Sequence, residues 1–199
     1  MELGLMILGW LGVLIYLIVI FTANKLLENG ESALLHLLIC FAFILMTPIP
    51  LFLSITNSNQ IFILSSVFGY LFLIMIITTM ALQVGHLSYS NKQQDKELWE
   101  DRDNWMIHGM LGDVYESIVN VVFHIWIMLL AIGFFLEEKF LMGILMTIFT
   151  LFIVRSLGIL LNEVIQKPIP FLRVFRMNPV ITTLETLLFF ITILCWITF

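Results

Sequence analysis

Charged side chains are scarce in this chain, which has 199 residues but only nine lysines and arginines and fourteen aspartates and glutamates. They make up 12% of the residues, roughly half of the share that a soluble domain carries. Hydrophobic residues make up 61%, and the mean hydropathy is +1.07. A water-soluble globular domain and a disordered chain are therefore both excluded.

Cysteines are few, and known catalytic motifs are absent. The two cysteines, Cys40 and Cys195, both fall in apolar runs and have no CxxC neighbour, which excludes a disulfide scaffold. The chain has no P-loop, no GxGxxG, no GxSxG and no HExxH motif. We therefore predict no catalytic residues, no bound metal and no cofactor.

Long apolar runs occupy the parts of the sequence that lack charged residues. A helix needs about 20 apolar residues to cross roughly 30 Å of hydrocarbon. Six runs reach this length, and the first lacks the basic start of a signal peptide. We predict an all-α fold, a single six-helix transmembrane bundle with spans at residues 3–24, 32–55, 61–83, 117–136, 140–161 and 180–199.

The loops between these spans differ in basic charge. Loops one, three and five (residues 25–31, 84–116 and 162–179) form the long-loop face and contain seven lysines and arginines. Residues 56–60 and 137–139 and both termini form the short-loop face, which contains only Lys139. The positive-inside rule predicts a cell-membrane protein with the long-loop face in the cytoplasm and both termini outside.

Loop three is the only sizeable polar segment, and it is acidic, with seven acidic and three basic residues between Lys92 and Glu116. The period of residues 95–111 predicts an amphipathic helix between the third and fourth spans. Because an anionic leaflet repels an acidic helix, we expect its apolar arc to dock on protein, either as a packed linker within the chain or on a cytosolic partner. The predicted partner-binding residues are Leu98, Trp99, Arg102, Trp105, Met106 and Met110.

Loop five is basic and aromatic. Pro168 and Pro170 interrupt helical structure there, which predicts an elbow at the membrane interface. We expect Lys167, Arg173 and Arg176 to contact lipid phosphates. The other interpretation is a recognition surface for an anionic ligand or for loop three of a neighbouring subunit.

Six histidine or charged side chains and Asn120 lie within the spans or at their ends, all in the half nearer the long-loop face. Ionisable residues inside a membrane are costly and indicate function. We predict that they line a polar seam open to the cytoplasm, and that Arg155 and Glu185 form an ion pair. The histidines could instead hold a metal or haem, but their spacing fits no metal motif. The predicted seam residues are His36, His86, Glu116, Asn120, His124, Arg155 and Glu185.

Three functions fit these features. The favoured one is a non-enzymatic, homo-oligomeric membrane subunit that anchors, or signals to, a cytosolic protein, for example as a sensor in a stress or antiviral system, without direct binding to nucleic acid. The second is a small channel or transporter that uses the seam. Residues 47–50 (Thr-Pro-Ile-Pro) predict a broken second helix, as in transporters or through simple packing. The third is an intramembrane lipid-modifying enzyme that uses His36, Glu116 or His124.

Overall fold

The computed structural model describes residues 2–167, 169–176 and 178–199. Regular structure in these ranges is entirely helical, and six helices have the length and apolar character needed to cross a membrane. This agrees with the all-α prediction and fits a multi-pass membrane protein. The six candidate spans are Leu3–Glu28, Ser32–Thr56, Ile61–Ser90, Lys96–Leu136, Phe140–Val164 and Pro179–Thr198.

Over the described residues the chain forms nine α-helices, one π-helical segment and one 3-10 turn, and the turn lies between the fifth and sixth spans. The π-helical segment, Trp105–Met110, continues directly from α5, and the 3-10 turn, Pro170–Val174, precedes α9. The α-helices are α1 (Glu2–Glu28), α2 (Ser32–Met46), α3 (Pro48–Thr56), α4 (Ile61–Ser90), α5 (Lys96–Asn104), α6 (Asp113–Leu136), α7 (Phe140–Thr150), α8 (Ile153–Val164) and α9 (Pro179–Thr198).

Two of the predicted spans, the second and the fifth, are broken in the middle. The second divides at Thr47, because Pro48 has no N–H to donate and its ring clashes with the preceding turn. The fifth divides at Leu151 and Phe152, where N–H groups bond three residues back, Phe152 to the Phe149 carbonyl at 3.2 Å. No proline or glycine marks this second break, and the sequence did not predict it.

Helix α6 lies at the centre of the bundle and packs against α4, α7 and α8. Its fully buried Trp126 meets Phe189 of α9 edge-on, with ring centroids 5.0 Å apart. On the α4 side, a Cβ at Gly69 would lie 2.7 Å from Trp126 Cε2. Only a residue without a side chain allows α4 to approach so closely, so the core fixes α6 against both α4 and α9.

Candidate functional site

A buried histidine and a buried glutamate meet near the middle of α6. His124 is 1% exposed and Glu185 of α9 is 6% exposed, and His124 Nε2 lies 2.5 Å from Glu185 Oε1. The other ring nitrogen, Nδ1, lies 2.5 Å from the carbonyl oxygen of Asn120, one turn earlier in α6. Ser156 Oγ of α8 is 3.5 Å from the same Nδ1, so three helices converge on one imidazole.

The partners of the imidazole fix where its protons are. Nδ1 faces the backbone carbonyl oxygen of Asn120, which can only accept a hydrogen bond. Nδ1 therefore carries a proton and donates a hydrogen bond to that carbonyl. A second proton lies between His124 Nε2 and Glu185 Oε1, since both atoms would otherwise present lone pairs to each other. The pair is therefore neutral overall, whether it is an imidazolium with a carboxylate or an imidazole with a carboxylic acid.

This geometry corrects one prediction. Arg155 and Glu185 do not form the expected pair, because Glu185 pairs with His124 instead. Arg155 donates hydrogen bonds to Thr182 Oγ1 at 3.4 Å, to the Arg176 carbonyl at 3.4 Å and to the Asn178 carbonyl at 3.5 Å. Arg155 thus ties α8 to the segment that leads into α9.

A cavity of about 130 Å³ lies at the long-loop end of the bundle. Glu116, in the first turn of α6, and Asn120, one turn further, both line it. The predicted seam is thereby divided, because the cavity is lined by two of its residues, while His124 and Glu185 form the buried pair beside it. The other lining residues are Tyr16, Ile39, Phe43, Phe72, Ile76, Met80, Val119, Thr182 and Thr186.

The two remaining histidines of the predicted seam have separate partners. His36 Nδ1 lies 2.7 Å from the Ser32 carbonyl in its own helix. His86, in the last two turns of α4, has Nε2 2.8 Å from Asp103 Oδ1 of α5. The structure thus places His86 in the contact between α4 and loop three rather than beside His124.

Loop three docks back onto α4. Asp103 accepts a hydrogen bond from Ser90 Oγ at 2.7 Å. The Trp99 ring packs against Tyr89 and His86, at centroid distances of 5.2 and 5.9 Å. These contacts hold α5 and make this part of loop three a packed element of the chain itself.

The six predicted partner-binding residues have different environments. Met106 is buried against Leu87, and Trp99 packs on α4 with the Arg102 guanidinium 4.6 Å above its ring. Trp105, Leu98 and Met110 remain exposed. Four of the six predicted residues are therefore exposed, Arg102 among them, while Trp99 and Met106 secure loop three.

Loop five packs against α8. Phe175 packs on Gly158 of α8, whose missing side chain leaves room for the ring, while Lys167, Arg173 and Arg176 are exposed. Arg155 and Arg176 line a second, open cavity of about 490 Å³. Of the two prolines in the prediction, Pro170 begins the 3-10 turn, and Pro168 lies outside the described residues.

A comparison with known proteins adds no function to this geometry. No family model, no curated protein and no solved structure matches the chain. Among the residues that the structure describes, no group of three or more histidine, cysteine, aspartate or glutamate side chains is placed to hold a metal ion.

A polar cluster that the sequence did not predict lies on the short-loop face. We call it the clasp, and its residues are Asn57, Ser58, Asn59, Glu137 and Lys139. Glu137 Oε1 accepts hydrogen bonds from the Ser58 and Asn59 N–H groups at 2.6 and 2.9 Å. Lys139 Nζ lies 2.7 Å from Glu137 Oε2 and donates to Asn57 Oδ1 at 2.6 Å. The clasp therefore ties together the two short loops.

The clasp also changes the acidity of its carboxyl group. Burial alone would raise the pKa of Glu137, but the hydrogen bonds from Lys139, Asn59 and Ser58 together outweigh it and lower the pKa below its ordinary value. The only sequence signal was two opposite charges in a three-residue loop, Glu137 and Lys139. Nothing in the sequence connected them to Asn57.

Proposed function

We propose that this protein is a non-enzymatic, multi-pass membrane subunit that binds a soluble protein on its long-loop face. The supporting observation is the exposure of Trp105, which is 64% exposed although indole is a large apolar group. Tryptophan is enriched among the residues that dominate binding energy at protein interfaces. An indole held in this way on a docked helix is suited to a partner surface.

The charges around Trp105 indicate what kind of partner it fits. Leu98, Asp101 and Trp105 recur at helical spacing and share one side of the continuous helix formed by α5 and the π-helical segment. Exposed Glu97 and Glu100 flank them. A surface of acidic groups around an apolar centre is complementary to a basic patch with an apolar pocket, so we propose a basic soluble protein as the partner.

The docked side of α5 supports the same proposal. Trp99, Asp103 and Met106 recur on the other side of the helix and hold it against α4. The orientation of Trp105 is thereby set before any partner arrives. A surface that is organised in advance loses less conformational entropy when it binds.

The test is purification of the tagged protein from its source cells, with Trp105→Ala compared to the wild type. We expect at least about a tenfold loss of co-purified soluble protein, since hot-spot truncations cost about 2 kcal/mol or more. Phe171→Ala is the matched control, because Phe171 is an equally exposed aromatic residue on loop five. Undiminished recovery with Trp105→Ala would contradict the proposal.

This function requires the long-loop face to be cytoplasmic, which stays a prediction. Single cysteines at Gln94 and Glu138, both exposed and on opposite faces, test it once Cys40 and Cys195 are replaced. We expect an impermeant maleimide to label residue 138 in intact cells and residue 94 only after lysis. The reverse pattern would place the proposed docking surface outside the cell. The predicted homo-oligomer is tested on the same membranes by chemical cross-linking.

We propose a small transporter or channel as the second candidate function. It is favoured by the cavity beside Glu116 and by the neutral His124–Glu185 pair, since polar groups inside a bundle are costly and commonly mark a solute or ion path. Flux into liposomes that changes with Glu116→Gln would support it. Equal flux in protein-free and protein-containing liposomes would count against it.

A further inference from the structure

The cavity at the long-loop end has a lining that fits one chemical class of ligand. We propose that it binds a small organic ammonium cation. The proposal deepens the second candidate function, because it names the class of solute, but binding itself does not require that the solute crosses the membrane. Charge, wall chemistry and size each support this ligand.

The first support is a carboxyl group that has no cationic partner. Glu116 lines the cavity and is half-buried. Throughout the ranges that the structure describes, no lysine, arginine or histidine lies within ion-pair distance of its carboxylate. Ionisation of a carboxyl group that is partly out of water is costly without a counter-charge, and a bound cation would supply that counter-charge.

The charged groups around the cavity do not supply the missing cation. The neighbouring His124–Glu185 pair is neutral overall, and Asp113, one turn from Glu116, adds a second negative charge. Arg155 lies behind the wall, 3.4 Å from Thr182 Oγ1, where its guanidinium is bound to backbone carbonyls and lines the other cavity. Among the lining residues, Glu116 is therefore the one with a carboxyl group that can balance a bound cation.

The second support is the aromatic wall. Tyr16, Phe43 and Phe72 all line the cavity, and their rings form a continuous edge-to-face series with centroids 5.5 and 5.9 Å apart. Aromatic faces attract ammonium groups, and quaternary ammonium ligands are recognised by cages of such rings. Aromatic rings around a single carboxylate distinguish an organic cation from an inorganic one, which needs several oxygen ligands.

The third support is size. An engineered apolar cavity of about 150 Å³ in another protein accommodates benzene, and this cavity has about 130 Å³. It therefore has room for an ammonium ion with a few methyl or methylene groups. Asn120 and Thr186 add polar atoms to a wall that is otherwise apolar.

The experiment is isothermal titration calorimetry of the purified full chain in detergent micelles with tetramethylammonium chloride. The comparators are sodium chloride and tert-butanol, an uncharged molecule of similar shape. We expect one tetramethylammonium per chain and at least about tenfold weaker binding of tert-butanol. Equal binding of the neutral molecule, or sodium binding without tetramethylammonium binding, would overturn the proposal, as would no binding at all.

Two variants assign the site. Glu116→Gln keeps the shape and removes the charge, and we expect it to weaken tetramethylammonium binding by about tenfold or more. Asp113→Asn removes an equal charge one turn away, outside the lining, and should change the affinity by less than about threefold. If the two substitutions weakened binding equally, the cation would respond only to the surface potential, and the proposed site would be wrong.

A third variant tests the site independently of Glu116→Gln, in case that variant misfolds. Tyr16→Leu removes one ring of the wall and should also weaken binding severalfold, while unchanged binding would contradict the aromatic site. Liposome flux separates the two proposals. Binding that depends on Glu116 without flux would refute transport and leave the site intact, whereas flux of tetramethylammonium without such binding would refute the site.

Discussion

Two acid–base pairs of this molecule lie in different surroundings. Glu137 and Lys139 pair in a turn between spans at the short-loop end, and His124 and Glu185 pair inside the bundle, near its middle. The clasp keeps Lys139 partly in water and joins two loops that are remote in sequence. The buried pair shares one proton and joins the central helix to α9. The clasp therefore fastens one edge of the bundle, while the buried pair makes two spans depend on each other.

Removing the buried carboxylate should have the largest effect. Glu185→Leu leaves His124 Nε2 unpaired among apolar side chains, and we expect the free energy of unfolding to fall by about 1–3 kcal/mol. Unfolding by SDS titration in mixed micelles measures it. Glu163→Gln, at an exposed position of α8, is the control and should stay within about 0.5 kcal/mol of the wild type.

The double variant His124→Leu with Glu185→Leu tests whether the cost comes from the pairing. Replacing both partners by apolar groups removes the unsatisfied nitrogen, so we expect at least half of the lost stability to return. If the two substitutions were simply additive, His124 and Glu185 would be energetically independent, and the contrast with the clasp would fail.

Opening the clasp should have a smaller effect. Glu137→Gln weakens the contacts to Lys139 and to two backbone N–H groups, and we expect a loss of about 1 kcal/mol. Lys139→Met tests the stability contribution of the same cluster by removing its other charged side chain. A loss as large as that of Glu185→Leu would show that the short-loop end is as important to the bundle as its interior.

Acid should weaken the clasp. Because the pKa of Glu137 is lowered in the folded protein, its contribution to stability is present above the ordinary value of 4.5 and is lost as the pH falls through the lowered value. Thermal unfolding curves recorded from neutral pH to below that range test this. The difference between the wild type and Glu137→Gln should shrink on acidification, and a constant difference would contradict the assignment.

Ser156→Ala should have the smallest effect. Nδ1 of His124 already donates to Asn120, and Ser156 Oγ is 3.5 Å away, at the outer limit of a hydrogen bond. We expect a change below about 0.5 kcal/mol in the same SDS titration. A loss above 1 kcal/mol would mean that the hydroxyl, rather than the carbonyl, sets the imidazole tautomer.

The sequence predicted the six helices and one of the two breaks, for physical reasons that are local. Runs of about 20 apolar residues have one stable form in a bilayer, a helix that satisfies its own backbone. The break at Thr47 followed from Pro48 and Pro50. The break at Leu151 and Phe152 carries no local signal, so only the packing of the whole bundle reveals it.

The error over Arg155 has a different cause. Sequence position gives the depth of a residue in a span, and at that level Arg155 and Glu185 do match. Depth does not tell which side of its helix a residue occupies or which helices are neighbours. Because α6 is central, its His124 reaches Glu185, and Arg155 bonds to the chain that precedes α9.

The partner of His124 also has a consequence for how the chain is made. Glu185 follows His124 by 61 residues and belongs to the last of the six spans. During synthesis the N-terminal elements emerge first, so His124 Nε2 has no Glu185 to pair with until α9 is made. A truncated chain that lacks α9 would keep this polar group exposed in the membrane, as a mark by which a cell can distinguish unfinished copies from complete ones.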